Sequence, residues 1–317
     1  MNLHATGSSG IAQSLTAAFG DRARRDAPLA PLTTFKVGGS ADWLIDVTNE
    51  AELRAALEIA GGAGVPVTIL GGGSNVLVSD AGVRGLVLRV RPMEVSQTAP
   101  DRVRADAGLT MNGLVRWTIG RGLAGLEAWA GTPGTVGGAI YGNAHYGGRN
   151  IGDLVATVRL ATPAGEVRTV PASEMGFAYD TSRLQRTREV LLWAEFEVRP
   201  GDPAALRLVS RESLAHRKKT QPLQTPSAGC IFQNPDRARD GVPEDIPASA
   251  GALVDRAGLK GSRSGAAKVS DTHANFIVNE GGATAADIRA LIDRCKREVR
   301  ERFGVALREE IVYLGEF

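Results

Sequence analysis

Val65-Pro66-Val67-Thr68-Ile69-Leu70-Gly71-Gly72-Gly73-Ser74-Asn75-Val76-Leu77-Val78 is the stretch whose reading decides the fold class. Val65–Leu70 is a short apolar run of strand type, and Val76-Leu77-Val78 resumes that character straight after the loop. A strand, a glycine loop and a second strand differ from the strand, loop and helix of a Rossmann or P-loop site. On either side, Ala41–Val47 alternates as a strand, and Asn49 or Thr48 is placed to cap a helix over Glu50–Ala60. Leu53, Leu57 and Ala60 give that helix its i, i+4, i+7 apolar spacing, and Gly61–Gly64 ends it. Gly85–Val90 and Arg102–Ala107 read as strands, and Thr110–Arg121 as a helix capped at Thr110. Val155–Leu160 and Glu166–Val170 flank Pro163-Ala164-Gly165 as a hairpin. Val190–Val198 reads as a strand, Pro203–Arg217 as a helix, and Thr284–Phe303 as a helix with a Thr284/Asp287 capping box. Val305–Leu314 finishes as a strand. The first thirty residues read as a poorly ordered lead with a weak helical patch near Ile11–Phe19. This mixture, with no repeat of 20–50 residues, predicts α+β domains rather than one doubly wound sheet.

The 317 residues are 43% hydrophobic and 23% charged, enough for two or three domains with ample core. With 37 Lys+Arg against 35 Asp+Glu, the net charge of +2 argues against reliance on a basic nucleic-acid-binding surface and against an acidic tail. No stretch approaches the ~18 apolar residues of a membrane span, and the start lacks a charged-then-apolar signal. The two cysteines, Cys230 and Cys295, and four scattered histidines, His4, His145, His216 and His273, suggest neither a disulfide framework nor a metal site. Composition thus predicts a soluble, cytosolic, globular protein. The unusual quantity is the 39 glycines, about 12% of the chain against a usual ~7%.

Two glycine clusters carry that excess. In Gly71–Asn75, successive glycines let backbone amides approach a ligand and point together as a nest for phosphate oxygens, with Ser74 and Asn75 adding neutral donors. A flexible surface turn is the competing reading, and for this loop alone the two stand level. Gly122–Gly148 holds Gly122, Gly125, Gly131, Gly134, Gly137, Gly138, Gly142, Gly147 and Gly148. Within it, Gly131-Thr132-Pro133-Gly134-Thr135-Val136-Gly137-Gly138 and Asn143 mix glycines with hydrogen-bonding groups. Two such loops suit a long diphosphate cofactor touched along its length. The alternative is a loop-rich domain packing two sheets closely.

The ordered set Thr33-Thr34-Phe35-Lys36-Val37-Gly38-Gly39, Gly71–Asn75, Pro133-Gly134-Thr135-Val136-Gly137-Gly138-Ala139 and Pro226-Ser227-Ala228-Gly229-Cys230 resembles the UDP-N-acetylenolpyruvoylglucosamine reductase (MurB) family. Gly258-Leu259-Lys260-Gly261, His273-Ala274-Asn275-Phe276 and Phe303-Gly304-Val305 with Glu310-Ile311 continue the likeness, so that it spans about Leu32 to Gly315. The spacing is similar to the family's shorter type. The resemblance implies an α+β protein: a two-part FAD-binding domain of vanillyl-alcohol-oxidase type plus a C-terminal α+β substrate domain. Its implied boundaries are a lead over 1–28, FAD-binding subdomains over 29–88 and 89–209, and a substrate domain over 210–303, with 304–317 returning to the second subdomain. It further implies non-covalent FAD, NADPH as reductant, and reduction of an enolpyruvyl ether of a UDP-sugar to UDP-N-acetylmuramate in peptidoglycan synthesis. A cytoplasmic enzyme, monomeric and without nucleic-acid or membrane partners, is expected. The expected FAD-binding residues are Gly71, Gly72, Gly73, Ser74, Asn75, Thr132, Pro133, Gly134, Thr135, Gly137, Gly138 and Asn143.

In that likeness Cys230 stands at the position of the family's serine proton donor. A thiol, with a reference pKa near 8.5, donates a proton at least as readily as a hydroxyl. A small buried cysteine in a tight turn is the competing reading. Cys295, in a long helix, reads as structural. Glu310 matches the glutamate that assists at the enol intermediate, and beside a substrate carboxylate it needs to be protonated or paired. Glu309, on the opposite face of a strand, reads as an exposed charge. The pattern departs at Phe177-Ala178-Tyr179-Asp180-Thr181-Ser182-Arg183, where Asp180 takes the place of an arginine that pairs with the substrate carboxylate. Arg183, three residues on, supplies a guanidinium from a rearranged loop or is a solvated arginine; both readings stand. Tyr179, Lys218, Lys219, Asn234 and Lys260 are the expected substrate-binding residues, with Gln233 replacing a family lysine before Asn234. Lys260 and His273 have loop structure as their alternative role. A flavin oxidase of the same fold and an inactive flavin- or nucleotide-binding protein are the competing functions.

Overall fold

The computed structural model describes residues 5–91 and 94–317, with side chains from residue 10 onward. Two compact units result. One comprises residues up to Ala27, Ala41–Gly72 and Arg84–Ala215; the other comprises Pro28–Ser40, Gly73–Val83 and His216–Phe317.

The first unit is built on two sheets. Strands Arg24–Pro28, Ser40–Val47, Val83–Val90 and Val67–Leu70 lie side by side in that order, the last two parallel. Asn49 caps the following helix, Glu50–Gly62, by accepting from the N–H of Glu52, and Leu53, Ala56, Leu57 and Ala60 are buried on one face. The second sheet is antiparallel throughout, ordered Val167–Pro171, Val155–Ala161, Val190–Glu197, Arg102–Asp106 and Val95–Ala99. The hairpin expected around Pro163-Ala164-Gly165 forms its edge. Helix Met111–Gly120 starts where its sequence signals place it, Thr110 accepting from Gly113 N–H.

The N-terminal lead differs from its expectation. From Ala5 to Phe19 it is an α-helix, and Ile11, Leu15 and Phe19 are buried in the core of the first unit. Their i, i+4, i+8 spacing makes one apolar stripe, and tertiary burial stabilises a helix of little intrinsic strength. Residues 1–4 of the expected lead lie outside the described residues.

The second unit packs helices Ala250–Arg256 and Ala285–Phe303 with a small antiparallel sheet, Arg263–Ser264, Ala267–Val269 and Ile277–Asn279. The Thr284/Asp287 capping box is formed. Asp80, from a distant segment, adds to it: its two carboxylate oxygens accept from Ala285 and Ala286 N–H at 2.8 and 2.9 Å. This satisfies helix-terminal donors that have no partner within the helix and places an anion at the positive end of the dipole.

The C-terminal segment is less regular than the strand expected there. Only Val312–Leu314 forms a strand of the expected Val305–Leu314, and it pairs in parallel with Val76–Val78. Residues 304–317 group with 216–303 in the second unit. Among the described residues no helix is long and apolar enough to cross a membrane.

Candidate active site

In the first unit the two glycine clusters meet. A Cβ on Gly72 would stand 2.8 Å from the Cα of Gly134, and one on Gly71 would stand 2.9 Å from Thr135 Oγ1. Both distances are shorter than side-chain carbons tolerate, so these backbones approach this closely only because the side chains are missing. The second loop is pinned along its length. Gly131 N–H donates to Asn112 Oδ1 at 2.7 Å, Met111 N–H to the Gly134 carbonyl at 3.1 Å, and Val136 N–H to the Leu109 carbonyl at 2.8 Å. Thr135 then caps helix Val136–Tyr141, accepting from Gly138 N–H at 3.3 Å. Gly72 stays exposed and Gly71, Thr132 and Gly134 half-buried beside one another. The result is a narrow cradle of peptide groups with no side-chain bulk and no charge, which fits the diphosphate of a dinucleotide.

The rest of the first glycine stretch has other work. Gly73 accepts at its carbonyl from Thr34 N–H at 2.9 Å and abuts the Leu32–Thr33 backbone, where a Cβ has no room. Asn75 donates from Nδ2 to the Glu310 carbonyl at 3.1 Å and accepts from Val312 N–H at 2.9 Å. Its side-chain amide thus holds the segment that carries Glu310.

Cys230 and Glu310, eighty residues apart, belong to neighbouring segments of the second unit. Glu310 N–H donates to the Ile231 carbonyl at 2.8 Å, Gln233 N–H to the Arg308 carbonyl at 2.9 Å, and Phe232 and Glu309 form a bridge pair. Asn275 locks the Cys230 side of this ribbon. Its carbonyl accepts from Ile231 N–H at 2.8 Å, its Oδ1 accepts from Phe232 N–H at 2.9 Å, and its Nδ2 donates to the Phe232 carbonyl at 2.7 Å. His273 Nδ1 in turn accepts from Asn275 N–H at 3.2 Å. Burial, and after it the charge of Lys260, lower the His273 pKa, keeping the ring neutral and able to accept. Cys230 and Glu310 are both half-buried. Glu309 turns to Lys296, 2.7 Å away, as an outward ion pair. Cys295 is buried, which pushes its thiol up to about 12 and leaves it inert near neutral pH.

Other predicted residues are placed as follows. Asn234 Oδ1 accepts from Ala250 N–H at 3.0 Å, serving the start of helix Ala250–Arg256. Lys260 pairs with Asp255 at 2.7 Å. Lys218 and Lys219 are exposed in the last turn of helix Pro203–Thr220. Asn143 commits both ends of its amide to the protein, donating to the Ala178 carbonyl at 2.8 Å and accepting from Gly152 N–H at 2.9 Å. Its side chain therefore anchors the 177–182 turn.

Arg183 is paired within the protein. Its Nε lies 2.9 Å from Glu189 Oε2, and the carboxylate side chain is only 4% exposed. Arg168 completes the pair at 2.6 Å. The guanidinium is engaged with a buried carboxylate within the first unit. Asp180 is itself buried, with its Oδ1 3.0 Å from His145 Nδ1. Sequence reasoning passed over His145 as one of four scattered histidines and read the 273–276 motif through His273 alone. Proximity of His145 to Tyr141-Gly142-Asn143, and the amide at Asn275, were the available signals.

Residues 41–171 match the family described as FAD binding domain, and 221–314 match the UDP-N-acetylenolpyruvoylglucosamine reductase C-terminal domain. UDP-N-acetylenolpyruvoylglucosamine reductase 2 of Symbiobacterium thermophilum is 43% identical over 296 residues, covering 93% of this chain and 92% of the relative. The reductase of Anaeromyxobacter sp. strain Fw109-5 is 44% identical over 298 residues, covering 92% and 89%. The crystal structure of the enzyme from Thermus caldophilus superposes with a TM-score of 0.78 at 32% identity, covering 92% of this chain and 99% of that one. With an uncharged cradle in the FAD-binding part and a thiol and a carboxylate on adjacent segments of the C-terminal part, the chain belongs to the UDP-N-acetylenolpyruvoylglucosamine reductase family of FAD-dependent oxidoreductases.

Proposed function

We propose that the protein reduces the enolpyruvyl ether of UDP-N-acetylglucosamine to UDP-N-acetylmuramate with NADPH, as a cytoplasmic monomer in peptidoglycan precursor synthesis. The observation that carries this reading is the 2.8 Å bond from Glu310 N–H to the Ile231 carbonyl, which sets the glutamate beside the segment of Cys230.

Gly71, Gly72, Thr132, Pro133, Gly134 and Thr135, with Gly137 and Gly138 behind them, would hold FAD, which would supply hydride transfer from NADPH to the terminal vinyl carbon. Peptide N–H groups of these loops would face its diphosphate, with no side-chain cation among them. The Cys230 thiol gives its proton to the adjacent carbon, so that one hydride and one proton saturate the double bond, and the thiolate recovers a proton from solvent. Glu310, in its protonated form, donates to the developing enol oxygen beside the substrate carboxylate. Lys218 and Lys219 attract the UDP diphosphate, and the exposed Tyr179 offers a ring and a hydroxyl to the substrate. Asn75 and Asn275 act through the backbone, fixing where Glu310 and Cys230 stand.

Anaerobic stopped-flow absorbance at the flavin band tests the reading. Flavin reduced by NADPH is expected to reoxidise rapidly on addition of enolpyruvyl-UDP-N-acetylglucosamine. No reoxidation with FAD bound would refute it, and reoxidation by oxygen in preference to that substrate would favour the oxidase reading.

A further inference from the structure

Glu310 stands in a stretch that belongs to no regular element. Helix Ala285–Phe303 ends before it, strand Val312–Leu314 begins after it, and between them Glu309 forms the bridge to Phe232. The backbone of Glu310 is tied at both ends: its N–H donates to the Ile231 carbonyl at 2.8 Å and its carbonyl accepts from Asn75 Nδ2 at 3.1 Å. Those bonds fix where the residue lies. The direction of its side chain depends further on how the segment is rolled about its own axis.

Two ion pairs grip the segment from opposite faces. Side chains alternate along a bridged, extended stretch, which puts Glu309 on one face and Arg308 with Glu310 on the other. Glu309 reaches Lys296 at 2.7 Å. Lys296 follows Cys295 in helix Ala285–Phe303, where Ile292, Cys295 and Val299 are buried, so the packing of that helix fixes where the ammonium stands. On the other face Arg308 meets Asp240 through both terminal nitrogens, each at 3.2 Å, and donates from Nε to Gln233 Oε1 at 3.4 Å. Asp240 is anchored in turn, its Oδ2 accepting from Asp236 N–H at 2.8 Å and from Arg239 Nη2 at 3.0 Å. Arg239 first, and Arg308 after it, hold this carboxyl well below the ordinary carboxylate range, so it remains an anion near neutral pH. Rolling the segment in either direction parts one pair or the other. Partly exposed ion pairs add little to stability, and two of them on the residues just before Glu310 serve geometry better than they serve the fold.

We infer that the Lys296–Glu309 and Arg308–Asp240 pairs aim the Glu310 carboxyl at the substrate; this rests on the reductase reading, in which Glu310 donates to the enol oxygen. Lys296, Glu309, Arg308 and Asp240 are then positioning residues that act through Glu310. A misplacement of about 1 Å in a reacting group can cost on the order of a hundredfold in rate, so loss of one pair shows in the proton-transfer step before it shows in stability.

The test is anaerobic reoxidation of the NADPH-reduced, FAD-loaded protein by saturating enolpyruvyl-UDP-N-acetylglucosamine, alongside calorimetric titration with UDP-N-acetylmuramate. Lys296→Met and Glu309→Gln are each expected to slow reoxidation about tenfold and to change product affinity by less than about twofold. The reversed pair, Lys296→Glu with Glu309→Lys, is expected to restore most of the rate. In a Glu310→Gln background Lys296→Met is expected to slow reoxidation further by less than about twofold, because its effect runs through the missing carboxyl. Asp240→Asn repeats the measurement from the other face if a variant at Lys296 or Glu309 does not fold. An unchanged rate with only a lower melting temperature, or a full tenfold loss on top of Glu310→Gln, would reduce the pairs to braces of the fold. These two outcomes leave the reductase reading standing. Wild-type flavin that the substrate leaves reduced would overturn that reading and this inference with it.

Discussion

Asn75 Nδ2 donates to the Glu310 carbonyl at 3.1 Å, a bond spanning 235 positions of sequence. One side-chain amide at the end of a glycine loop thereby sets the height of a carboxylate-bearing segment, while Asn75's own carbonyl receives Val312 N–H. Asn75→Ala is expected to lower stability by about 1 kcal/mol through the lost hydrogen bond. It is also expected to reduce the rate of flavin reoxidation more than it weakens FAD binding. Chemical denaturation, stopped-flow rates and flavin fluorescence titration read the three effects separately. A selective loss of FAD affinity would return Asn75 to the cofactor.

The cradle gives a steric prediction. Gly72→Ala places a methyl group 2.8 Å from the Gly134 Cα, against backbone that has no side chain to swing aside. Overpacking of this kind costs about 1–3 kcal/mol, and here it is expected to part the two loops and cut FAD affinity by tenfold or more. Gly61→Ala is the control: it lies in helix Glu50–Gly62 with open space around it. That change is expected to be neutral or to stabilise by up to about 1 kcal/mol. Flavin content and melting temperature of the two purified variants check both.

The two cysteines differ in accessibility. Cys295 is buried with its thiol pushed up to about 12, while Cys230 is half-buried. Iodoacetamide at neutral pH is expected to modify Cys230 and spare Cys295, as read by peptide mass spectrometry, and bound substrate is expected to protect it. Cys230→Ser is expected to retain turnover and Cys230→Ala to lose it by about a hundredfold or more, the typical scale of a positioned general acid. Full turnover in Cys230→Ala would remove the thiol from the mechanism.

His273 yields a pH dependence. Its folded pKa lies below the ordinary histidine value because of burial first and Lys260 second. The unfolded chain therefore binds the proton more readily, and stability is complete above the unfolded value near 6.5 and falls as pH drops from there toward the folded value. Urea midpoints measured between pH 7.5 and 5 are expected to decline in wild type and to decline less in His273→Asn. A midpoint equally sensitive in both would assign the dependence to other groups.

The Arg183–Glu189 pair predicts a stability effect. Burial raises the pKa of Glu189, but Arg168, Thr187 and Arg183 together outweigh it and keep the carboxyl below its ordinary value. Arg183→Ala is expected to cost about 1–3 kcal/mol by leaving that carboxylate with one guanidinium fewer. Thermal melts check this, and a change confined to substrate KM would reassign Arg183 to the ligand.

Local physics was legible in the sequence. Caps at Asn49, Thr110 and Thr284, the hairpin at Pro163-Ala164-Gly165 and the strand–loop–strand around Gly71 depend on contacts within a few residues, and all appear where their residue types place them. The helix ending at Phe19 was undervalued because its stability comes from burying Ile11, Leu15 and Phe19, not from its propensity. The family was likewise written in motif order alone. Tertiary structure decided how single side chains are spent. Asn143, Arg183 and Asn75 are each bound to a partner 35, 6 or 235 residues away. Asp180 and His145, 35 residues apart, come within 3.0 Å only when the turn at 178–181 closes. A sequence fixes which polar groups exist; the distance between them, which sets the strength of every hydrogen bond and ion pair, is a property of the folded chain.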